Sequence, residues 1–271
     1  MNKATYRATG AVAWIAAAVI VAAAARSPAA VQGTIYKTDG GEISGKLSWF
    51  GATQEYDINK GNVSTKVPAR LVARVVTPKP ADLDRAVNAV RTKQYGAAVN
   101  PLRNIVTTYE MMGWDVPAAR WLAEAYLNLN QLKEAETMCE KVIRSNPEAG
   151  RSGELASIYW EVLRKANKEA TLMRVLSEAV KTGGREVAAV AQLKRADIDR
   201  SRGDIKRALK DGYLRTAILF RDVKLVQPEA LSKAAECFQQ LGQQSYAEKM
   251  RRELLEKYPE SDEARKIRGG G

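Results

Sequence analysis

With 271 residues, of which 45% are apolar and 27% charged, the chain can bury the core of one large or two modest domains, and wholesale disorder is excluded. It contains no histidine, which removes the commonest general base and the commonest metal ligand, so His-based catalytic dyads and most zinc sites are excluded as well. The formal net charge is +12, which favours anionic partners in general terms, but the basic residues alternate with Glu and Asp along helical stretches and read first as a solvated surface.

Residues 1–30 join a basic start (Lys3, Arg7) to an apolar run from Ala8 to Ala25 and then to small residues around Ser27 and Ala29. That order is the pattern of a secretory signal, with cleavage expected after Ala25, Ala29 or Ala30 and an uncleaved N-terminal anchor as the alternative. No Cys lies near the cleavage zone, which argues against a lipid-anchored lipoprotein. Cys139 and Cys237 are the only cysteines, each inside an apolar helical pattern, so they read as small core residues and not as a disulfide framework.

Residues 31–77 are short runs rich in Ile, Val, Tyr and Thr, punctuated by Asp39-Gly40-Gly41, Gly51, Asn59-Lys60-Gly61 and Pro68. This is the texture of a β-meander. Ile43, Gly45, Leu47 and Trp49 alternate on one face, and Tyr56 with Ile58 and Val63 with Val67 continue the period of two. About five short strands predict a small closed barrel, because closure removes exposed edges. On its G-T-I, D-G-G and I-S-G-K-L runs the segment resembles the SH3-like and Sm-like barrels, a resemblance that transfers no site. The glycines at 40, 41 and 45 sit between strands and no G-K-S or G-K-T follows, so they are turn residues and not a phosphate loop. Residues 78–82, with Pro78 and Pro80, form the expected linker, after which Asp82 or Asp84 is placed to cap a helix.

From 83 to 267 nearly everything has helical period, and residues 268–271 read as a frayed tail. Small residues recur in pairs twelve apart: Ala86 with Ala98, Ala123 with Ala135, Ala196 with Ala208, Ala235 with Ala247. Such an interval is one helix, a tight turn and the start of the next, so each pair predicts a helical hairpin closed by small residues. Asn130, Gly203 and Gly242 fall at turns, and Pro147 and Pro259 end the second helices of their hairpins. In the third repeat the same alignment pairs Ile158 with Ala170, so this hairpin lacks its small first-helix residue.

Leu122-Ala123-x2-Tyr126, Ala135-x3-Cys139 and Pro147 resemble the tetratricopeptide motif W-x2-L-G-x2-Y, then A-x3-F, then P. Arg174, Gly212 and Arg251 stand where that family has an aromatic residue. The expected fold is therefore mainly α: a tetratricopeptide-like solenoid of about five helical hairpins, preceded by a small all-β, barrel-like domain. The last repeat further resembles those of exported envelope proteins, including the cell-division coordinator of the Tol-Pal system.

The resemblance implies a non-catalytic scaffold or adaptor of the bacterial cell envelope, periplasmic or extracellular, that holds a peptide or helix of a protein partner in the concave groove of its first helices. It places Arg120, Glu124 and Asn128 in the groove from the second repeat, Tyr159 from the third, Asp197 and Arg200 from the fourth, and Glu236, Gln239 and Gln240 from the fifth. Arg120, Glu124 and Asn128 do not reproduce the Lys and two Asn of chaperone-type grooves that grip a terminal carboxylate. Trp114, in the loop before Pro117, is the aromatic expected to be exposed, whereas Trp121, Tyr126 and Trp160 read as core. No cofactor and no metal site is expected. A homo-oligomer and weak association with anionic polymers or a membrane surface are further expectations. The alternative function, a basic module for nucleic acid or anionic wall polymer, lacks a continuous basic stripe. An enzyme using Asp197 and Asp199 fails because residues two apart on a helix cannot flank one bond.

Overall fold

The computed structural model describes residues 30–151 and 153–269, so the expected leader, Ala30 apart, and the last two residues lie outside the described residues. The chain opens with five strands, β1 (Val31–Lys37), β2 (Glu42–Phe50), β3 (Glu55–Lys60), β4 (Val63–Pro68) and β5 (Val72–Val76). They form one antiparallel sheet in the order β4-β3-β2-β1-β5. Alternation places Val31, Ile35, Leu47, Trp49, Tyr56, Ile58 and Val67 on the buried face. Gly33 lies among them by necessity: a Cβ there would come within 2.8 Å of Leu47, Thr77 and the Val76 carbonyl.

The sheet is not closed, contrary to the barrel the meander predicts. β4 and β5 remain edges, and Val63 is 64% exposed instead of pairing with Val67 on the inner face. What covers the core is a helical-domain loop. Met112 is 1% exposed and packs into the sheet's apolar cluster. The Tyr56 hydroxyl donates to the Met111 carbonyl at 2.7 Å, the Thr77 hydroxyl to the Met112 carbonyl at 3.1 Å, and the Trp114 indole to the Thr77 carbonyl at 3.3 Å. The joint around Thr77 is therefore clamped. Neither Asp82 nor Asp84 caps the following helix, since they are taken up by Arg85 and Lys79.

The helices are α1 (Leu83–Arg91), α2 (Tyr95–Thr108), α3 (Asp115–Asn128), α4 (Leu132–Ser145), α5 (Gly153–Lys165), α6 (Glu169–Thr182), α7 (Arg185–Ser201), α8 (Ile205–Arg207), a π-helical turn (Ala208–Tyr213), α9 (Leu214–Leu219), α10 (Gln227–Gln240), α11 (Gln244–Lys257) and α12 (Asp262–Gly269). They pair as five hairpins, the second arm of the fourth being α8, the π turn and α9 in succession, and α12 covers the end against α10 and α11. Helix α12 runs through Gly269, into the expected tail.

Five turns share one backbone geometry. Lys93, Asn130, Asn167, Gly203 and Gly242 all have φ between 56° and 82°. At each, the next residue donates its N–H back across the helix end: Gln94 to Ala89, Gln131 to Tyr126, Lys168 to Leu163, Asp204 to Asp199 and Gln243 to Phe238. This is the Schellman arrangement, which satisfies the last carbonyls of the first helix and reverses the chain. Counted from these turns, the facing pairs are Ala86/Ala98, Ala123/Ala135, Ala196/Ala208 and Ala235/Ala247, none of them more than 2% exposed. In the third hairpin the same count gives Trp160/Leu172, both buried. Ala170 is exposed, which corrects the Ile158/Ala170 pairing. Repeat three is thus complete, with two large residues where the others have two small ones.

The fourth hairpin makes the opposite adjustment. In the π turn Gly212 faces Ala196 so closely that an added Cβ would lie 2.3 Å from the Ala196 Cβ. That closeness leaves no room for the family's aromatic residue. Ala135→Leu and Gly212→Ala are each expected to cost about 1–3 kcal/mol by overpacking, while Gly184→Ala, whose added Cβ meets nothing within 4 Å, stays within about 0.5 kcal/mol. Thermal and denaturant melts followed by helical circular dichroism check the contrast.

Candidate partner-binding cleft

The expected groove residues do not form one row. Arg120 lies 3.7 Å over the Trp121 ring and pairs with Glu124 at 2.5 Å and Glu154 at 3.1 Å. Asn128 is exposed at the end of α3, where its side-chain amide donates to the Glu124 carbonyl at 2.8 Å. Asp197 accepts from the Tyr213 hydroxyl at 2.9 Å and from Lys233 at 2.6 Å, and Lys233 also holds Glu229. Arg200 pairs with Glu236 at 2.7 Å. Gln239 accepts from Arg251, and Gln240 is exposed at the end of α10.

Two of the expected contacts are corrected. Tyr159 is 4% exposed, because α5 turns it into the core, where its hydroxyl donates to Glu140 at 3.3 Å. Trp114 is half-buried at the sheet junction, held by its bond to Thr77, and is not a free aromatic.

A concavity that two of the expected groove residues line lies between α5 and α7. One part, of about 410 Å³, has Trp160, Leu172, Val190 and Ile198 as its apolar surface and Ser157, Lys194 and Asp197 at its rim. A second part, of about 500 Å³, shares Ser157, Trp160 and Val190 and extends to Arg120, Glu154 and Leu225. Leu225 is 76% exposed, an unusual position for a leucine beside a groove. The two concavities adjoin at Ser157, Trp160 and Val190 and are together termed the channel; each lies within the size range of small-molecule sites.

The cleft has a packing cause. Where the other first helices present alanine, α5 presents Trp160, whose indole fills the space that close approach would remove. The apolar core divides at the same place. Ala191 and Ile198 of α7 face the cluster of the first three hairpins, whereas Ala189, Leu193 and Ala196 face the cluster of the last two. Val190 borders both clusters and lies in the channel between them. Of the expected groove residues, Arg120 and Asp197 therefore reach the channel. Trp160, Ser157, Val190, Lys194 and Leu225 are the residues that the family positions missed. Counting from Asn167, and not from the alanines, would have found Trp160.

Among the described residues, most charges around the cleft are held in ion pairs, Lys194 and Glu186 being the exceptions. Arg164 grips Glu161 through two bonds, of 2.8 and 2.6 Å, and this contact holds the Glu161 carboxyl below the ordinary range against the opposing effect of burial. Burial works against the Lys233 ammonium, yet its bonds to Asp197 and Glu229 outweigh that and raise its pKa. Burial, aided by Asp197, pushes the Tyr213 phenol up. Asp197 and Asp199 belong to different clusters, the latter meeting Arg207 at 3.4 Å. Among the described residues no group of three or more His, Cys, Asp or Glu side chains could hold a metal ion. No described helix is long and apolar enough to cross a membrane.

Comparison with known proteins agrees with the hairpin geometry. A tetratricopeptide repeat model matches residues 118–149 and 229–261, so the chain carries tetratricopeptide repeats in its second and fifth hairpins. No curated protein sequence matches. Similar solved structures include a Podosopora anserina putative kinesin light chain with nearly identical TPR-like repeats (15% identity, 67% of this chain and 96% of the other, TM-score 0.50). They also include MamA AMB-1 (14% identity, 71% and 100%, TM-score 0.47) and YrrB, a TPR protein with an unusual peptide-binding site (17% identity, 69% and 90%, TM-score 0.46). At these identities the likeness is one of fold.

Both cysteines are buried, and burial pushes the Cys139 thiol up to about 12. Because the thiolate is the reactive species, iodoacetamide at pH 8 is expected to leave Cys139 unmodified in the native chain and to label it promptly in denaturant. Mass spectrometry of the two samples reads the difference.

Proposed function

We propose that the protein is a non-catalytic interaction scaffold that holds an extended segment of a protein partner in the channel between α5 and α7. The observation that carries this reading is the channel's make-up: an apolar floor around Trp160, an exposed Leu225 at one end, and rims on which Arg120, Arg164 and Asp197 are paired with opposite charges, leaving Lys194 and Glu186 as one charge of each sign. Such a surface rewards apolar side chains on a peptide backbone more than it rewards charge. The reading in terms of nucleic acid or wall polymer has less support, since Arg120, Arg164, Arg200, Arg202 and Lys233 each sit on a carboxylate and leave no basic stripe along the first helices. A second copy of this chain is another protein that the channel can accommodate.

We further infer an envelope setting. Its support is the leader-like order of residues 1–30. In the native host the mature chain is expected to begin between Arg26 and Gln32, which N-terminal sequencing of the purified protein reads directly. An intact Met1 or Asn2 on membrane-extracted protein replaces cleavage with anchoring.

The channel itself is tested by filling it. Ser157 is exposed on α5, so Ser157→Trp occupies the channel without entering the core. Peptides selected from a random display library on the wild-type protein are expected to lose at least about tenfold in affinity on Ser157→Trp, a change of roughly 1.4 kcal/mol, with the melting temperature unchanged. Equal binding to both proteins would move recognition off this channel.

A further inference from the structure

On the other side of α7 lies a second cavity, of about 600 Å³, bounded by α6, α7, the π turn and α9. Its charged lining is Lys181, Arg195, Arg207 and Arg215 against Asp199 and Asp211, an excess of two positive charges. Only one of those cations is neutralised: Arg207 meets Asp199, whose side chain is 8% exposed. Lys181, Arg195 and Arg215 have no carboxylate partner among the described residues.

Arg195 is the informative one. Its Nη1 reaches only the Gln192 Oε1, at 3.5 Å, and its Nε is buried without a hydrogen bond. A buried donor left without a partner is costly to keep, and on this half-buried side chain the Nε is such a donor. Gly212 against Ala196 brings the two backbones together beneath the cavity, and the Gln192 amide donates to the Asp211 carbonyl. Gln192 is thereby engaged with backbone, and Arg195 is left facing the open volume. π turns of this kind recur at functional sites because they re-aim side chains that a regular helix would direct elsewhere.

We propose that this cavity is an oxyanion site, taking a phosphate-class ligand carried on a small molecule. The planar fork of Arg195 suits the paired oxygens of a phosphate, with Arg215 and Lys181 closing on the remaining charge. An excess of two positive charges matches a di- or polyanion better than a monoanion. The volume exceeds what orthophosphate alone needs and lies in the range of small-molecule sites. The proposal does not rest on the α5–α7 channel, which lies on the opposite face of α7.

The test uses the full chain with pyrophosphate and orthophosphate as probes, chloride at matched ionic strength as reference, and acetate as the carboxylate arm. Pyrophosphate is expected to broaden its own phosphorus resonance on adding protein and to raise the melting temperature saturably. Arg195→Gln is expected to abolish both effects. Arg215→Gln, at an exposed position, is expected to weaken the affinity at least about tenfold, and it decides the matter if Arg195→Gln fails to fold. Ser157→Trp leaves the response intact, which separates this site from the channel. A response no larger than that to chloride, one equalled by acetate, or one retained in Arg215→Gln would overturn the proposal.

Discussion

The structure depends on one repeated constraint, the left-handed turn that joins the two helices of each hairpin. Once the chain reverses through Lys93, Asn130, Asn167, Gly203 or Gly242, the residues that must face one another across the hairpin are set by helical rise alone. With alanine at both places the helices close and stack. With Trp160 and Leu172 they cannot, yet the third hairpin loses no apolar burial, since an indole brings far more area than a methyl group. Spacing gives way instead, and a concavity opens beside the large residue, whose buried indole N–H is left without a hydrogen-bond partner among the described residues.

A second consequence of packing appears at the sheet. Closure of a five-stranded meander is one way to hide its inner face, but here the loop carrying Met112 hides it. The edges that closure would have removed are left with features that discourage pairing with other chains. β4 carries exposed Lys66 and ends at Pro68, and β5 carries exposed Arg74, which lies over Tyr36 at 4.3 Å. The sheet and the helices therefore share a boundary that includes three hydrogen bonds, the buried Met112, and Tyr109 and Met111 packed beside it.

How much of this was legible depended on how local each signal was. Four alanine pairs and three of their turns could be read because a hairpin is a local object with a fixed count between its small residues; the turn at Lys93 carries no Gly or Asn to mark it. The third hairpin misled for the same reason. Alignment on alanine chose Ala170, which is exposed, over Leu172, which lies five residues beyond the turn residue Asn167 as its counterparts do. Tyr159 and Trp160 are neighbours in sequence, about 100° apart on the helix, and both are buried: Trp160 is in the core as read, and Tyr159 is not on the groove surface. Trp114 could not be placed, because its partner is the Thr77 carbonyl, 37 residues away across the domain joint. The π turn left one trace, Gly212 at a position where the family has an aromatic residue, and its meaning depended on knowing that Ala196 lay opposite.

Helix α7 forms a wall of both cavities, with Val190, Lys194, Asp197 and Ile198 on one side and Gln192, Arg195 and Asp199 on the other. Two sites that share a wall influence each other only if the wall has two positions and each ligand prefers one of them. Here α7 is fixed from several directions. Gly212 abuts Ala196, Lys233 holds Asp197, and Arg202 at the helix end grips Glu169 of α6. Moving α7 toward either cavity would separate one of these contacts and also draw an alanine face out of one of the two cores. A rigid wall leaves the two concavities uncoupled. The solenoid is then a frame that presents two independent surfaces from one helix, its apolar channel on one face and its cationic cavity on the other.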